Sequence, residues 1–382
     1  MYEALTAWLS IACLTLAIIG CGYTLTAALI LARRLRAPPE LARLSSAVTI
    51  LKPLHGAEPG LYENLASFCV QDYPSPVQIL FGVQAPADPA IAVVRQLIAD
   101  YRGRDLELVV DSRVHGPNRK VGTLVNLQTR IKHELVILAD SDMRVGPDYL
   151  ARVTAALQRS GVGLVTCLYR GSAAGGVWAR MAAVAIDCHF LPSVLVGLRL
   201  GLARPCFGST IALTGTVLTR IGGFEAFVQY LADDNAMGEA VRRAGMEVAI
   251  PPFLVAHMCT EGTFADLWLH ELRSARTIRM VAPWGFVGSV VTHPLALGLL
   301  GALLAGFDGV SLGVLAVVVS CRLVLQARVD RSLPVSPPRW WLGLLGDLLS
   351  FVAFIASFFI TRVSWRGHRY KVLPDGTLNI LE

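Results

Sequence analysis

The sequence has few charged residues for its length, and this shortage excludes an ordinary soluble protein. Only 16% of the 382 residues are charged, whereas 54% are hydrophobic. A soluble domain usually contains about 25% charged residues. We therefore predict a membrane protein, and the positions of its apolar stretches indicate where the chain enters the bilayer.

Cysteine frameworks and nucleic-acid signals are also missing. The eight cysteines are scattered, and their spacing is typical of neither a zinc site nor a set of disulfides. No tract combines dense basic and aromatic residues, so we expect no nucleic acid partner. The net charge of +6 instead suits a protein that rests on an anionic leaflet or handles anionic substrates.

The first apolar stretch covers residues 8–31, and Arg33, Arg34 and Arg36 follow it directly. It has the roughly 20 apolar residues that a transmembrane helix needs. A cleaved signal peptide would begin with basic residues and have a shorter apolar core, but "MYEALTAW" carries no basic residue. We predict an uncleaved anchor over residues 1–36 with its basic end in the cytoplasm.

Three further apolar stretches, 285–307, 310–326 and 340–360, predict transmembrane helices over residues 281–362. A basic tail, residues 363–382, follows them. Three crossings would place this tail on the side opposite the middle of the chain, whereas its basic residues favour the same side. The sequence leaves both arrangements open.

The middle region, residues 45–280, alternates strand and helix patterns. Strand patterns are "AVTILKPL", "VQILFGVQ", "LELVVDS" and "ELVILAD", and helical patterns are "LYENLASFCVQ", "PAIAVVRQLIADY" and "TLVNLQTRI". This alternation predicts an α/β domain with a mostly parallel sheet covered on both faces. Further on, "GLVTCLY" and "STIALTGTVLTRIGGF" indicate strands, and a helix follows "YLADD".

Polar residues follow each of the first four strands, where an open α/β sheet binds its ligand. In order they are Lys52, Pro53 and Glu58, then Asp88, then Asn118, Arg119 and Lys120, then Asp140 and Asp142. Two carboxylates and a lysine fit a divalent cation that bridges phosphates. The alternative for "DSD" is an acidic turn that caps the next helix.

Three other groups of residues have a functional and a structural interpretation. Asp233 and Asp234 precede a helix, so they are either a cap or a general base that deprotonates a hydroxyl. Arg273, Arg276 and Arg279 recur every three residues, which fits a clamp on a diphosphate or a basic flank of a membrane helix.

The third group is residues 177–205, which are apolar with sparse charges. We predict an amphipathic segment that lies in the headgroup region. His189 within it is either a satisfied, partly buried side chain or a residue that binds an acceptor.

Together these motifs resemble a known family. The order "ILKPLHG", "VQAPADPAI", "PNRKVG", "LADSDMRV", "YLADD" and "RSART" is similar to that of the ceramide glucosyltransferase family and its bacterial relatives, the hopanoid-biosynthesis glycosyltransferases. The resemblance implies a membrane-bound, inverting glycosyltransferase with a GT-A fold in its cytoplasmic domain. It also implies multi-pass insertion in a bacterial inner membrane.

The resemblance implies a role for each matching residue. Asp234 would be the catalytic base, and Asp140 and Asp142 would bind Mg²⁺ or Mn²⁺. The donor would be bound by Pro53, Glu58, Asp88 (near the uracil), Lys120, Asp140, Arg273 and Arg276, and His189 and Asp233 are candidate acceptor-binding residues. The sequence departs from the family at Thr277, where tryptophan is typical.

The implied reaction moves N-acetylglucosamine from its UDP-sugar to a polyol hopanoid such as bacteriohopanetetrol. Glucose transfer from UDP-glucose to ceramide is the first alternative. A processive polysaccharide synthase and a non-enzymatic membrane scaffold are the others. The synthase would need more helices for a secretion channel, and the scaffold would not need acids and bases at successive strand ends.

Overall fold

The computed structural model describes residues 2–34, 46–333, 340–360, 362–365, 368–372 and 377–381. The chain divides into two compact units. The helical unit comprises Met1–Ala37, Arg170–Arg204 and Glu261–Ile360, and the sheet unit comprises Pro38–Tyr169, Pro205–Thr260 and Thr361–Glu382.

Strands and helices alternate through the sheet unit, as the sequence predicts. The strands are β1 (Val48–Pro53), β2 (Val77–Val83), β3 (Asp105–Val110), β4 (Leu135–Leu138), β5 (Met143–Arg144), β6 (Val162–Thr166), β7 (Leu168–Ala173), β8 (Ile211–Thr214), β9 (Glu247–Ala249), β10 (Leu254–Cys259), β11 (Arg362–Trp365), β12 (His368–Val372) and β13 (Leu378–Leu381). The helices are α1 (Tyr2–Arg34), α2 (Leu61–Cys69), α3 (Ala90–Asp100), α4 (Arg119–Leu127), α5 (Tyr149–Leu157), α6 (Val177–Ala185), α7 (Leu191–Arg199), α8 (Gly215–Arg220), α9 (Asp233–Arg243), α10 (Phe264–Val281), α11 (Pro283–Gly288), α12 (Pro294–Leu304), α13 (Gly309–Ser332) and α14 (Trp340–Ala356).

The main sheet has seven strands in the order β3-β2-β1-β4-β8-β6-β9. Strands β3, β2, β1 and β4 are parallel neighbours. Strand β8 runs antiparallel to both β4 and β6, whereas β9 is parallel to β6. The sequence-based prediction of a mostly parallel α/β sheet is confirmed. Because β2, β1 and β4 are parallel neighbours, their carboxyl ends meet at one edge of the sheet.

Helices cover both faces of this sheet, because successive strand residues point to opposite sides. Ile50 and Ile79 pack with α2, α3 and α5 in one buried cluster. Leu51 and Leu80 pack with α4 and α9 in the other. Buried on both faces, these strands read as continuous apolar runs rather than as alternating ones.

Two local predictions were wrong. Helix α4 begins at Arg119 rather than at Thr123, because the Asn118 side chain caps it and accepts a hydrogen bond from the Val121 amide at 3.1 Å. Arg119 and Lys120 therefore lie on a helix and not in a loop. The stretch "STIALTGTVLTRIGGF" is only partly strand: it turns into α8 after Thr214, whose hydroxyl caps the new helix.

The C-terminal tail forms a small antiparallel sheet in the order β11-β12-β13. Thr377, just before β13, and Leu378, its first residue, also pair with another segment of the sheet unit. The amide of Leu378 donates to the carbonyl of Gln229 at 2.8 Å, and Thr377 pairs antiparallel with Tyr230. The Leu378 side chain is buried. The tail is therefore a part of the sheet unit.

Within the described residues, the helical unit contains three helices long and apolar enough to cross a membrane: Glu3–Arg34, Val177–Arg199 and Gly309–Ser332. A fourth candidate is the pair Pro283–Thr292 and Pro294–Leu304, which is bent by 65°. Helix α14 is apolar but has only 17 residues. The interfacial placement of residues 177–205 stays a prediction, as do the predicted domain boundaries.

Helices α1, α12 and α13 pack around one apolar cluster. Its buried members are Ala17, Cys21, Leu295, Leu297, Val318 and Cys321. Two glycines bring α1 and α12 together, since a Cβ at Gly20 would lie 2.8 Å from the Pro294 side chain and one at Gly301 would lie 2.7 Å from Leu14. Small residues at such contacts are typical of helices that associate in membranes.

A buried ion pair links α13 to α14. Arg322 donates a short hydrogen bond to the carboxylate of Asp347 and also bonds the Cys188 carbonyl at 3.2 Å. The two side chains are only 4% and 3% exposed. These two residues lie within the apolar stretches 310–326 and 340–360, and their charges neutralise each other.

Candidate active site

Lys120 lies at the centre of the acidic residues of the sheet unit. Its ammonium group contacts Asp140 Oδ1 at 2.7 Å and Asp233 Oδ2 at 3.4 Å. Burial alone would lower the pKa of Lys120, but Asp140, Asp233 and Asp234 raise it above its ordinary value. The amine is therefore held as a cation. It brings Asp140 of "LADSD" and Asp233 of "YLADD" together.

Gly208 joins the same two motifs through its backbone. Its amide donates to Asp234 Oδ2 at 2.9 Å, and its carbonyl accepts from the Asp140 amide at 3.1 Å. A Cβ at Gly208 would lie 2.4 Å from Asp140 Oδ2 and 2.9 Å from Lys120 Nζ. A side chain at this position would displace the acids, so the site requires glycine here.

Asp234 has the environment of a general base. Burial, and then the negative charge of Asp233, raise the pKa of Asp234 to about 6, although Lys120 opposes the rise. A base is most effective when its pKa lies near the working pH. The carboxylate is oriented by the Gly208 amide on Oδ2 and by the Asn235 amide, 2.7 Å from Oδ1.

Asp233 differs from its neighbour because its contacts are internal. Its Oδ1 accepts from the Asn118 amide group at 3.1 Å, and Asn118 also donates to the Tyr230 carbonyl at 2.8 Å. The Asp233 side chain is 6% exposed, whereas Asp234 is only half-buried. This contrast favours Asp234 over Asp233 as the base. Asp233 links the start of α9 to the cap of α4.

The Asp140–Asp142 turn is held by backbone hydrogen bonds. Lys52, fully buried beneath it, donates to the Asp140 carbonyl at 2.5 Å and lies 3.9 Å above the centre of the Phe68 ring. Burial lowers the pKa of Lys52 to about 7, although Asp140 and Asp142 partly offset that effect. The Asp142 carbonyl accepts from the Met258 amide at 2.8 Å. The turn is therefore fixed before any ligand binds.

The donor set at this turn fits a divalent cation. Asp142 Oδ1 is buried without a hydrogen-bond partner, and Asp142 Oδ2 lies 3.7 Å from the Nδ1 atom of His257. No group of three or more His, Cys, Asp or Glu among the described residues could hold a metal ion. Magnesium needs only one or two carboxylates when phosphates and water supply the other ligands. Asp140 and Asp142 meet that requirement, and the uncompensated oxygen of Asp142 favours a cation.

Asp88 is buried and bonded to two loops. Both its carboxylate oxygens lie 3.0 Å from the Gly56 amide, and Oδ1 also accepts from the Ala90 amide at 2.9 Å. His55 lies 3.6 Å from Oδ2. Asp88 therefore joins the loop after β1 to the start of α3. Its role near a uracil stays a prediction.

The other candidate donor-binding residues lie at the end of β1, in the loop that follows it and on α10. Pro53 ends β1 and is buried, whereas the Glu58 side chain is exposed in the following loop. Arg273 and Arg276 lie on α10 of the helical unit, and burial lowers the pKa of Arg276. Thr277 donates to the Arg273 carbonyl at 2.9 Å. The proposed contacts of these residues with a diphosphate stay predictions.

His189 lies in a π-helical turn of the helical unit between α6 and α7. Its ring stacks on His293 with centroids 4.7 Å apart. Thr292 Oγ1 lies 3.2 Å from Nε2 and Ser350 Oγ lies 3.4 Å from Nδ1. This is the satisfied, partly buried side chain that the sequence offered as one alternative. An acceptor-binding role stays a prediction.

Sequence reasoning did not assign a role to Gly208 or His257, and it placed Lys52 at a strand end without its contact. Gly208 lies in "CFGST" and His257 in the β10 pattern "LVAHMC", and neither stretch has a distinctive motif. The contact of Lys52 with Asp140 joins residues 88 positions apart. A buried lysine inside an apolar strand pattern was the one available signal.

The model of "Glycosyl transferase family 21" matches residues 12–378 of the chain. Among curated proteins, ceramide glucosyltransferase 1 of Caenorhabditis elegans is 28% identical over 204 residues, which is 53% of this chain and 43% of that protein. A ceramide glucosyltransferase of Candida albicans is 34% identical over 107 residues, 25% of this chain and 20% of that protein. The chain thus spans less than half the length of these curated relatives.

A mannosyltransferase from Pyrobaculum calidifontis, solved in complex with GDP-Man and Mn²⁺, is similar in structure. The TM-score is 0.51 at 19% sequence identity, with 92% of this chain and 99% of that chain covered. At this identity the similarity concerns the fold alone. It agrees with the GT-A fold that the motif order implies.

Proposed function

Because the chain belongs to glycosyl transferase family 21, we propose that it transfers a sugar from a UDP-sugar to a hydroxyl group of a membrane lipid. The observation that carries this proposal is the convergence on Lys120 and Gly208. Asp140 of one motif and Asp233 and Asp234 of another meet there, within 3.4 Å of the lysine amine or the glycine amide. An acidic turn that only capped a helix would not need this arrangement.

Asp140 and Asp142 would hold a divalent cation, Mg²⁺ or Mn²⁺. When bound, the cation would neutralise charge on the diphosphate of the donor. The turn that carries both acids is already fixed by Lys52, Gly208 and the backbone of β10. The protein therefore supplies a preorganised site, which lowers the cost of binding.

Asp234 acts as the general base. Its carboxylate is oriented by the amides of Gly208 and Asn235, and it accepts the proton of the acceptor hydroxyl. The oxygen then attacks the anomeric carbon from the face opposite UDP, so a single displacement inverts the configuration. Lys120 stabilises the departing diphosphate through its permanent positive charge. Arg273 and Arg276 are assigned to the same diphosphate on the family resemblance alone.

Two acceptors are candidates. A composition rich in Ala, Leu, Gly and Arg is typical of a bacterial chain and favours the hopanoid branch of the resemblance, which implies N-acetylglucosamine transfer to a hopanoid polyol. The names of the curated relatives favour glucose transfer to ceramide. Both acceptors offer a hydroxyl at the membrane surface, where a protein with several apolar helices would meet it.

The deciding experiment incubates membranes that contain the full chain with labelled UDP-glucose or UDP-N-acetylglucosamine, with and without hopanoid or ceramide. We expect label in the organic phase, dependent on Mg²⁺ or Mn²⁺ and abolished by EDTA. Water-insoluble polymer would instead indicate a polysaccharide synthase. The absence of label with every donor and lipid would overturn the enzymatic proposal in favour of a membrane scaffold.

A further inference from the structure

The loop that carries the proposed base is held from two sides. Residues Val228 and Tyr230 precede Asp233 and Asp234, and Asn118 binds both: its amide donates to the Val228 carbonyl at 3.0 Å and its side chain to the Tyr230 carbonyl at 2.8 Å. On the other side the Leu378 amide donates to the Gln229 carbonyl at 2.8 Å. The loop is therefore fixed between the start of α4 and a segment near the C-terminus.

We propose that residues 377–381 are a positioning element of the active site, and that the chain crosses the membrane three times. The first part rests on the proposed role of Asp234. The second part depends on the pairing of the tail with Gln229 and Tyr230 and on the positions of the basic residues, and it holds whatever the reaction is.

The pairing acts on Asp234 through a short backbone path. Thr377 pairs with Tyr230, and Tyr230 is four residues from Asp234. The buried Leu378 side chain anchors the strand. Without this contact the Tyr230 backbone would keep its bonds to the Asn118 side chain and to the Phe227 carbonyl but would lose its support from the tail. The carboxylate would then be free to leave its position over Gly208, and a displacement of about 1 Å can cost roughly 100-fold in rate.

The tail also determines how many times the helices cross. Residues 261–360 leave the sheet unit and return to it. Because one folded unit lies on one side of a membrane, this segment crosses an even number of times. The three C-terminal crossings expected from the apolar stretches are therefore reduced to two. The same reasoning prevents Val177–Arg199, a largely apolar segment of 23 residues, from crossing once.

Charge and packing select which helices cross. Basic residues occur at the end of α1 (Arg33, Arg34), at the end of α13 (Arg328, Arg331) and throughout the tail, whereas residues 281–321 contain no lysine or arginine. Basic residues mark one side of a membrane, so the turn at 305–308 lies on the other side. Helices α1, α12 and α13 also share one apolar cluster. They are the three crossings, with α11–α12 counted as one.

Helix α14 then remains on the side of the sheet unit. Its 17 described residues lie at the lower limit for a crossing. It begins after the basic end of α13 and ends at the basic tail. Its Asp347 pairs with Arg322 of α13, so α14 packs against a membrane helix without an unpaired charge.

The positioning role is tested by removing the amide that donates to Gln229. Leu378→Pro deletes this N–H, and Leu378→Ala is the matched control that keeps it. Both variants lose the buried Leu378 side chain, so they should lose similar stability, and we expect the further loss of the N–H in Leu378→Pro to lower kcat at least tenfold below that of Leu378→Ala with an unchanged KM for the UDP-sugar. An unchanged kcat in Leu378→Pro would overturn the proposal. So would a joint loss of kcat, donor binding and folding.

The crossings are tested by labelling full-length protein in sealed vesicles with a membrane-impermeant maleimide. Single variants Arg102→Cys (sheet unit), Asp308→Cys, Arg331→Cys and Asn379→Cys are compared with the unmodified chain as background. We expect the cysteines introduced at positions 102, 331 and 379 to be labelled from one side of the membrane and the cysteine at position 308 from the other. Labelling of Asn379 from the side opposite Arg102 would overturn the pairing of the tail. Labelling of Arg331 there would overturn the three crossings. If the wild type transfers no sugar, the proposed function fails while this labelling result still stands.

Discussion

The buried ionised side chains are balanced in the helical unit, whereas the sheet unit has an excess of carboxylates. In the helical unit, Arg322 and Asp347 form a balanced pair. In the sheet unit three carboxylates, Asp140, Asp233 and Asp234, surround the cation of Lys120. Asp142 adds a fourth acid, in the same turn as Asp140, and the pKa of the nearby Lys52 is lowered to about 7. A balanced pair needs no ligand, whereas surplus carboxylates attract a cation. The difference distinguishes a structural ion pair from a candidate binding site, although both are unusual in an apolar chain.

The largest expected effect concerns the unbalanced cluster. Asp234→Asn keeps the shape of the side chain but removes the base, so we expect sugar transfer to fall by about 10²- to 10⁴-fold. Donor binding, measured by calorimetry with the UDP-sugar, should persist. Asp148→Asn is the control, because that acid is 51% exposed in a surface pair with Arg152. Near-normal turnover of Asp234→Asn would refute the assignment of the base.

A change in the Arg322–Asp347 pair should lower the stability of the protein and leave its activity unchanged. Asp347→Asn leaves Arg322 buried without its counter-charge, and breaking such a pair costs about 3–5 kcal/mol. We expect a lower melting temperature in detergent and unchanged turnover per folded molecule.

Two variants sharpen this contrast. The double replacement Arg322→Met with Asp347→Leu should restore most of the lost stability, because apolar residues replace a buried pair at little cost.

Asp142→Asn should abolish metal-dependent transfer without lowering the melting temperature, since it removes surplus negative charge. If Asp142→Asn were as destabilising as Asp347→Asn, the distinction between the two units would be wrong.

Gly208→Ala tests whether the cluster depends on close backbone approach. The added Cβ would lie 2.4 Å from Asp140 Oδ2, so we expect the acids to separate and transfer to fall by about 100-fold. Gly103→Ala is the matched control, because a Cβ there meets nothing within 4 Å. Equal activity of the two variants would show that the spacing at Gly208 is not needed.

The smallest expected effect is the pH dependence. Asp234 acts as a base only when it is deprotonated, and its pKa is raised to about 6. We expect kcat/KM to rise about tenfold per pH unit below pH 6 and to level off above it. Because Lys120 lowers the pKa of Asp234, Lys120→Met should move this limb to higher pH. A limb that stayed in place would contradict the electrostatic coupling of the two residues.

The sequence predicted those parts of the sheet unit that depend on local pattern. The apolar run Leu135–Leu138 identified β4, and its position placed Asp140 and Asp142 at a strand end. The start of α4 was missed because Asn118, the cap, also has a distant partner in Asp233. The α8 helix was missed because Val217 and Leu218 have the appearance of strand residues.

The contacts that complete the site join residues far apart in the chain. Lys52 reaches the Asp140 carbonyl across 88 positions, and Gly208 reaches Asp234 across 26. Hydrophobic periodicity carries no information about such pairs. The tail contact with Gln229 is similar, since the four residues of β13, Leu378–Leu381, form no pattern that identifies their partner. The residues that hold the acids in place were therefore visible only in three dimensions.

The placement of β8 has a consequence for the biosynthesis of the protein. This strand pairs with β4 on one side and β6 on the other, but the ribosome produces it only after the apolar helices α6 and α7. Until α6 and α7 have been synthesised, the nascent sheet lacks the strand that lies between β4 and β6. The hydrogen bond between Leu378 and Gln229 forms only after all the later helices have been synthesised. Completion of the sheet unit is thus coupled in time to insertion of the apolar helices into the bilayer. A ribosome stalled near residue 200 would leave the edges of β4 and β6 unpaired and accessible to chaperones.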